Sequence, residues 1–150
     1  RRASKNISRD LLIRLPLVVV VLVAIIWVLH PDRFLAFPSE RPVVWMVVML
    51  LYPLLSALPQ EFIFRTFFFH RYGEFITLKY GTILASAAAF SFLHIIYDNW
   101  WAVGLSFLGG ILFSITYERT KSLYWVTVEH ALYGCLVFTL GMGNYFYEAF

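Results

Sequence analysis

Charged side chains are scarce in this sequence. Asp, Glu, Lys and Arg together make up 14% of the residues, whereas 61% are apolar and 19% are aromatic. A soluble domain of this size needs more polar surface than that to stay in solution. The scarcity of charge therefore excludes a soluble globular protein and indicates an integral membrane protein.

Cysteine and acidic residues are also few. The single cysteine, Cys135, excludes an internal disulfide and says nothing about the redox compartment. Lys and Arg outnumber Asp and Glu by 12 to 9, but they flank apolar runs and form no basic stripe, which is typical of a protein oriented in a membrane. We therefore expect a lipid bilayer, and no nucleic acid, as partner.

Two familiar hydrolase motifs are missing as well. The sequence contains no His-Glu-x-x-His zinc motif and no Gly-x-Ser-x-Gly nucleophile elbow. The sequence therefore lacks two common signatures of proteolytic enzymes.

Five apolar runs predict an all-α fold, a polytopic transmembrane helical bundle. A helix needs about 20 residues to cross ~30 Å of hydrocarbon. The predicted spans are Leu15–Leu29, Val43–Tyr72, Tyr80–Tyr97, Trp101–Tyr117 and Leu123–Leu140. In the long second run, Pro53 and Pro59 predict a kink or a break. No soluble linker divides the chain, so we expect one domain over residues 1–150, and the polar, basic start at Arg1 predicts a fragment that lacks upstream sequence.

The positions of Lys and Arg predict the orientation. These residues are retained on the cytoplasmic side of a membrane. They cluster before the first run, between the second and third, and between the fourth and fifth, whereas the opposite side has Arg33 and Arg41. We therefore predict a multi-pass protein of the cell (inner) membrane with a cytoplasmic N-terminus.

Ionisable residues inside the predicted spans mark a candidate site. Such groups cost a few kcal/mol or more in lipid, so those that persist usually face a polar cavity. The candidates are Glu61, Arg65, His94, Glu129 and His130. The spacing of Glu61 and Arg65 predicts an ion pair on one helix face.

The predicted depths of three of these groups are similar. At ~1.5 Å per residue, Glu61 lies ~16 Å, His94 ~21 Å and His130 ~12 Å from the cytoplasmic ends of their helices. A carboxylate and two imidazoles from three helices thus converge near one level, and such convergence is typical of a catalytic site.

Two chemistries are open to these three side chains. Glu61 or a neighbouring acid, with one imidazole, can deprotonate water while the other imidazole stabilises an oxyanion. Alternatively, Glu61, His94 and His130 can hold a zinc ion that activates a bound water. We expect no metal or other cofactor, with zinc as the alternative.

Three short motifs occur in order along the chain. They are Gln60–Arg65 (QEFIFR), Phe90–His94 (FSFLH) and His130–Gly134 (HALYG). In this order they resemble the Glu-Glu-x-x-x-Arg, Phe-x-x-x-His and His-x-x-x-Asn motifs of the CPBP family, the CAAX-processing and bacteriocin-processing (Abi) intramembrane proteases. The resemblance covers about residues 59–134.

The resemblance implies roles for four residues. His94 would help to activate water and His130 would stabilise the oxyanion, while Glu61 and Arg65 match the family's second glutamate and its arginine. The implied activity is hydrolysis of a peptide bond in a membrane-associated substrate.

Two positions depart from the family's pattern. Gln60 stands at the first glutamate, which is generally assigned as the general base, and Gly134 stands at the asparagine. An amide cannot take up a proton at neutral pH. We therefore expect Glu61 to act as the base. The alternatives are an inactive scaffold and, after it, Glu129 beside His130 as the base.

Three functions follow from these patterns. The first is an intramembrane endopeptidase acting on a membrane-anchored peptide or protein, such as a CAAX-type tail, a leader or a sorting peptide. The second is a non-catalytic immunity or scaffolding protein with the same cavity, motivated by Gln60 and Gly134. The third, a transporter fragment with a proton relay, has no internal repeat to support it.

Overall fold

The described chain is built from helices. The structure, a computed structural model, describes the backbone of residues 2–146 and the side chains of residues 7–146. The helices are α1 (Arg2–Leu29), α2 (Ala36–Glu40), α3 (Pro42–Tyr72), α4 (Gly81–Leu93), α5 (Trp100–Thr120) and α6 (Leu123–Leu140). Short 3-10 turns follow at Pro31–Arg33, His94–Tyr97 and Gly143–Phe146. The predicted polytopic helical bundle is confirmed.

Most of the predicted spans are long enough to cross a membrane. Within the described residues, four segments have the required length and hydropathy, namely Ile7–Leu29 of α1 and the whole of α3, α5 and α6. The fifth predicted span corresponds to the shorter apolar segment Gly81–Tyr97, which is α4 with its 3-10 turn. Because α4 ends at Leu93, His94 lies where the chain leaves the α-helix.

Helix α1 begins earlier than the apolar run that predicts it. The helix extends N-terminally of Leu15 because its polar side chains find partners on other helices. Arg119 donates a hydrogen bond to the Asp10 carboxylate at 3.0 Å, and Arg14 donates to Glu129 at 3.2 Å. These contacts hold the N-terminal part of α1 against α5 and α6.

Helix α3 is continuous through both of its internal prolines. It contains two π-helical segments, Pro53–Ala57 and Phe62–Phe67, and the first of these starts at a proline. Because proline has no N–H to donate, the helix widens locally there and does not end. The predicted distortion at Pro53 thus takes the form of a π-bulge, and such bulges are frequent at functional sites.

Helices α4 and α5 pack closely through small residues. A Cβ atom at Gly110 would lie 3.0 Å from the Ala87 Cα atom, so the two backbones nearly touch. One turn further on, the hydroxyls of Ser114 and Ser86 are 3.3 Å apart. In lipid, where no hydrophobic effect drives helices together, small residues of this kind permit tight association.

Candidate active site

A cavity of about 350 Å³ lies within the helical bundle. Residues of α1, α3, α4, α5 and α6 line it, and most of its wall is apolar. The polar side chains on the wall are Tyr52, Ser56, Gln60, His94, Tyr97, Ser106, His130 and Tyr133. The cavity therefore offers an apolar chamber with a few convergent polar groups, which is the usual composition of a small-ligand or substrate site.

Glu61 and His130 are in direct contact. The Nδ1 atom of His130 lies 2.7 Å from Oε1 of Glu61, so the imidazole donates Nδ1–H to the carboxylate. The other carboxylate oxygen, Oε2, lies 3.2 Å from Nε of Arg65. That second contact is too bent for a hydrogen bond and is an ion pair only. The predicted Glu61–Arg65 pair is present, and His130 joins it.

Arg65 is fully buried despite its charge. Its Nη1 atom donates to the Ser86 hydroxyl at 3.1 Å, and its guanidinium carbon lies 4.9 Å from the centre of the Phe90 ring. A buried charge is tolerated only when it is paired and partly hydrogen-bonded. Glu61, Ser86 and the aromatic faces supply that compensation. Arg65 pairs with Glu61 and does not itself line the cavity.

His130 has a second partner that the sequence analysis missed. The Tyr52 hydroxyl lies 3.0 Å from Nε2 of His130. A Cβ atom built on Gly134 would collide with the Tyr52 hydroxyl oxygen, so the tyrosine ring occupies the space of a side chain at position 134. In the sequence, Tyr52 is a tyrosine beside Pro53 in an apolar run. That pattern does not indicate a contact with His130, because the contact depends on how the helices pack.

His94 lines the same cavity as His130 but has different partners. Its Nδ1 atom lies 2.8 Å from the carbonyl oxygen of Phe90. A carbonyl oxygen only accepts, so Nδ1 carries the proton and Nε2 carries the lone pair in the neutral ring. The Phe90 ring contacts both imidazoles, with centroid distances of 4.7 Å to His94 and 5.5 Å to His130.

Gln60 lines the cavity, whereas Glu61 does not. The Gln60 amide donates from Nε2 to the Ser56 hydroxyl at 2.9 Å. Glu61 is fully buried, and its oxygens face Arg65 and His130. The predicted base is thus present in the bundle, but the neutral amide of Gln60 takes the place at the cavity wall.

Glu129 belongs to a separate cluster. Its Oε1 atom accepts hydrogen bonds from Arg14 at 3.2 Å and from the Tyr133 hydroxyl at 3.1 Å. Arg14 also donates to Thr116 at 3.1 Å, which ties α1 to α5 and α6. Glu129 is fully buried and does not line the cavity. Although it is the neighbour of His130 in sequence, it faces α1.

The residues named for a zinc site do not fit one as they are arranged. Both ring nitrogens of His130 lie within hydrogen-bond distance of other side chains, those of Glu61 and Tyr52, and a ligand imidazole must offer one nitrogen to the metal. Within residues 2–146, no group of three or more His, Cys, Asp and Glu side chains is placed to hold a metal ion. We therefore derive no step through a metal.

The structure thus brings together part of the predicted site. Glu61, Arg65 and His130 form one connected cluster, and His94 joins it through the shared cavity. Glu129 instead contacts Arg14 of α1, and Gly134 has no side-chain donor but leaves room for the Tyr52 ring.

Comparison with known proteins gives one result. The profile of a family described as Type II CAAX prenyl endopeptidase Rce1-like matches residues 42–136. This match covers more than half of the chain and contains all three motifs, and the family is one of membrane proteases. Neither the curated proteins nor the solved structures gave a match. The chain therefore belongs to the Rce1-like family of type II CAAX prenyl endopeptidases.

Proposed function

We propose that this protein is an intramembrane endopeptidase that hydrolyses a peptide bond of a membrane-associated substrate with a histidine-activated water. The observation that carries the proposal is a cavity inside the bundle whose wall presents two imidazoles, His94 and His130, from different helices. One of them is hydrogen-bonded to a fully buried carboxylate, Glu61. Ionisable groups in membrane spans are costly and usually functional, and this arrangement suits general acid–base chemistry.

His94 is the best-placed general base. Its Nδ1–H is fixed by the Phe90 carbonyl at 2.8 Å, which selects one tautomer and one ring orientation. The neutral ring then has its basic lone pair on Nε2. A neutral imidazole nitrogen can accept a proton from water, so His94 can deprotonate a cavity water without a carboxylate at the wall.

His130 and its partners are suited to stabilise the oxyanion. With a neutral imidazole, the charges of Glu61 and Arg65 cancel. With an imidazolium, the three groups carry a net charge of +1, which a developing oxyanion would neutralise. Glu61 accepts the Nδ1–H of His130 at 2.7 Å and stabilises the imidazolium. Preorganised donors and charges of this kind supply a large part of enzymatic rate enhancement.

The proton transfers balance over the reaction. Nε2 of His94 takes one proton from water, and the hydroxide forms a bond to the carbonyl carbon, whose π electrons move to oxygen. The resulting oxyanion faces His130. His94 then gives its proton to the leaving nitrogen, the electron pair of the oxyanion re-forms the carbonyl as the C–N bond breaks, and a carboxylic acid and an amine leave. His94 is neutral again, and His130 keeps its proton throughout.

This scheme gives Glu61 a positioning role in place of the base predicted from the sequence. Both of its oxygens face protein partners, at 2.7 Å for His130 and 3.2 Å for Arg65. A carboxylate so engaged cannot reach a cavity water directly. It can fix the tautomer of His130 and balance its charge, as the carboxylate of a Ser-His-Asp triad does for its histidine.

The apolar wall of the cavity supports a lipid-associated substrate. Leu17, Val18, Val21 and Leu22 of α1 form one side of it, and such a wall favours an apolar segment next to the scissile bond. Membership of the type II CAAX prenyl endopeptidase family supports the same class of substrate. We therefore propose prenylated CAAX-type tails as the first class of substrate, and leader or sorting peptides as the next.

We further propose a cytoplasmic N-terminus in the cell (inner) membrane. The salt bridge between Asp10 and Arg119, at 3.0 Å, puts the start of α1 and the end of α5 at one side of the bundle. Lys121 also lies at this side, and an excess of Lys and Arg favours the cytoplasmic face.

A non-catalytic peptide-binding protein is the second candidate. The observation that favours it is that none of the described residues lining the cavity is Asp or Glu, while Gln60 takes the place of an acid at the wall. Such a protein would bind the same peptides without cleaving them, and its phenotype would survive loss of His94 and His130.

Cleavage by the purified protein tests the proposal. Wild-type protein in liposomes is mixed with membrane-anchored peptides of the three classes, and the fragments are identified by mass spectrometry. We expect cleavage of at least one peptide and a fall in rate of about 10²–10⁴-fold for His94→Ala. His70→Ala, an exposed histidine at the end of α3, is the matched control. Binding without cleavage by the wild type would favour the second candidate.

A further inference from the structure

Tyr52 lies between His130 and Gly134 and has no role in the proton transfers proposed for His94 and His130. This residue lies at the last position of α3 before the π-helical segment that starts at Pro53. Its side chain lines the cavity and reaches across to α6, where its hydroxyl lies 3.0 Å from Nε2 of His130. Tyr52 is therefore a residue of α3 whose hydroxyl contacts the ring nitrogen of His130 that is not bonded to Glu61.

The direction of this hydrogen bond follows from the partners of His130. Glu61 accepts Nδ1–H, so Nε2 of a neutral His130 has a lone pair and the Tyr52 hydroxyl donates to it. When Nε2 of His130 takes up a proton from solvent, before water attacks the substrate, Nε2–H donates instead and the tyrosine oxygen accepts. The hydroxyl hydrogen of Tyr52 is then free to rotate toward another acceptor in the cavity.

Gly134 makes this arrangement possible. A Cβ atom there would collide with Cε1, Cζ and the hydroxyl oxygen of Tyr52. Real Cβ atoms do not approach other atoms so closely, so a side chain at position 134 would require the end of the Tyr52 side chain to move away. Gly134 is also one helical turn beyond His130, on the same face of α6. A polar side chain there would be the obvious neighbour for His130, and Tyr52 fills that space.

We propose that Tyr52 is a catalytic residue that donates a hydrogen bond to the oxyanion beside His130, in space that Gly134 leaves open. This inference rests on the proposed protease function and identifies a second donor for its transition state. The step is hydrogen-bond donation alone, with no transfer of a proton from the phenol. Tyr52 accepts from His130 and donates to the oxyanion at the same time, which couples the charge on the imidazole to the charge on the substrate.

Removal of one hydroxyl tests the proposal. In Tyr52→Phe the ring stays and only the donor is lost, so we expect kcat to fall about 10²–10³-fold, as for loss of one oxyanion donor, with KM nearly unchanged. Tyr72→Phe, at the far end of the same helix, is the matched control and should keep wild-type kcat. Equal kcat for Tyr52→Phe and wild type would overturn the proposal, as would an effect on KM alone.

A second test moves the donor from position 52 to position 134. Its result distinguishes a hydrogen-bond donor from a residue that only supports the fold. Tyr52→Ala removes the ring, and Tyr52→Ala/Gly134→Asn returns a donor from α6 into the vacated space. We expect the double variant to recover at least tenfold in kcat over Tyr52→Ala, while Gly134→Asn alone, with the ring in place, loses activity. No recovery in a double variant that folds as the wild type does would count against Tyr52 as a donor.

Nitrogen NMR of histidine-labelled protein separates this inference from the proposed function. Tyr52→Phe should move the Nε2 resonance of His130 and leave that of His94 in place, whether or not any peptide is cleaved. An unmoved His130 resonance would show that the contact is absent and overturn the inference. If the wild type cleaves nothing but the His130 resonance moves in Tyr52→Phe, the protease function and the oxyanion role are refuted. The Tyr52–His130 hydrogen bond would still be supported.

Discussion

Replacement of Glu61 by glutamine probes the centre of the cluster. The carboxylate accepts a hydrogen bond from His130 Nδ1 at 2.7 Å and forms an ion pair with Arg65, whose Nε lies 3.2 Å away. An amide has one acceptor oxygen and one NH2 group. In Glu61→Gln, one of the two donors must therefore face another donor, and the buried charge of Arg65 loses its counter-ion.

The structure sets the expected size of the effect. Glu61 and Arg65 are both fully buried, and removal of one partner of a buried ion pair costs about 3–5 kcal/mol. We expect the free energy of unfolding to fall by about that amount. If the amide turns its NH2 toward His130, Nδ1 loses its acceptor and the wrong tautomer becomes favoured, which in a related carboxylate–histidine pair costs about 10⁴-fold in kcat.

A double variant separates stability from catalysis. Glu61→Gln/Arg65→Met removes the unpaired charge as well, and apolar replacement of a buried ion pair is often nearly neutral for stability. We expect most of the lost stability to return, while the cleavage rate stays low because His130 still lacks a charged partner. Glu118→Gln is the control, since its pair with Lys121 is exposed and contributes ~1 kcal/mol or less.

The assays are unfolding in detergent and peptide cleavage in liposomes, measured on the same preparations. If Glu61→Gln were as stable as the wild type, the Glu61 carboxylate could not be buried between His130 and Arg65 as described. Recovery of the cleavage rate together with stability in the double variant would show that Glu61 acts on the fold alone.

The remaining predictions concern the other groups around the cavity. His94→Ala should lower the cleavage rate about 10²–10⁴-fold. It should cost less in stability, because the side chain loses one hydrogen bond to a backbone carbonyl and its ring contacts with Phe90 and Phe146; a fall in rate that only matches the loss of folded protein would refute its role as base. Arg14→Ala should lower the free energy of unfolding by about 1–3 kcal/mol, because Glu129 is left buried without its ion-pair partner, and the folded fraction should keep its wild-type kcat; a specific loss of kcat would assign this cluster to catalysis. A chelator should leave the cleavage rate unchanged, because both nitrogens of His130 are engaged by protein groups; reversible loss restored by zinc would contradict that arrangement.

The helices could be predicted from the sequence because apolar runs set them directly. Helix α6 has the predicted bounds Leu123–Leu140. Helix α1 is longer than its apolar run because Asp10 and Arg14 find partners on other helices, and these partners are set by tertiary packing. Likewise, the π-helical widening at Pro53 depends on how the chain accommodates a missing N–H, which the residue type alone leaves open.

The candidate site was predicted in part, for a physical reason. Glu61 and Arg65 are one helical turn apart, so local geometry brings them together, and the cost of charge in lipid drew attention to His94 and His130. Which side chains face the cavity depends on rotation about each helix axis, and this separates Gln60, on the wall, from Glu61, behind it.

The Tyr52–Gly134 contact was beyond reach of the sequence pattern. In the sequence, Gly134 appears only as the loss of a donor. In the structure it is the space that admits Tyr52, 82 residues away along the chain. Complementary packing between α3 and α6 is visible only once both helices are placed.

The central claim is that imidazoles on the cavity wall activate a water molecule, and the fate of that water tests it most directly. A membrane-anchored peptide is cleaved by wild-type protein in liposomes in water enriched in oxygen-18, and the new C-terminal fragment end is examined by mass spectrometry. We expect one heavy oxygen in the new carboxyl group, and formation of this product about 10²–10⁴-fold more slowly by His94→Ala. The heavy product formed at the wild-type rate by His94→Ala, or bound peptide that the wild type never cleaves, would contradict it.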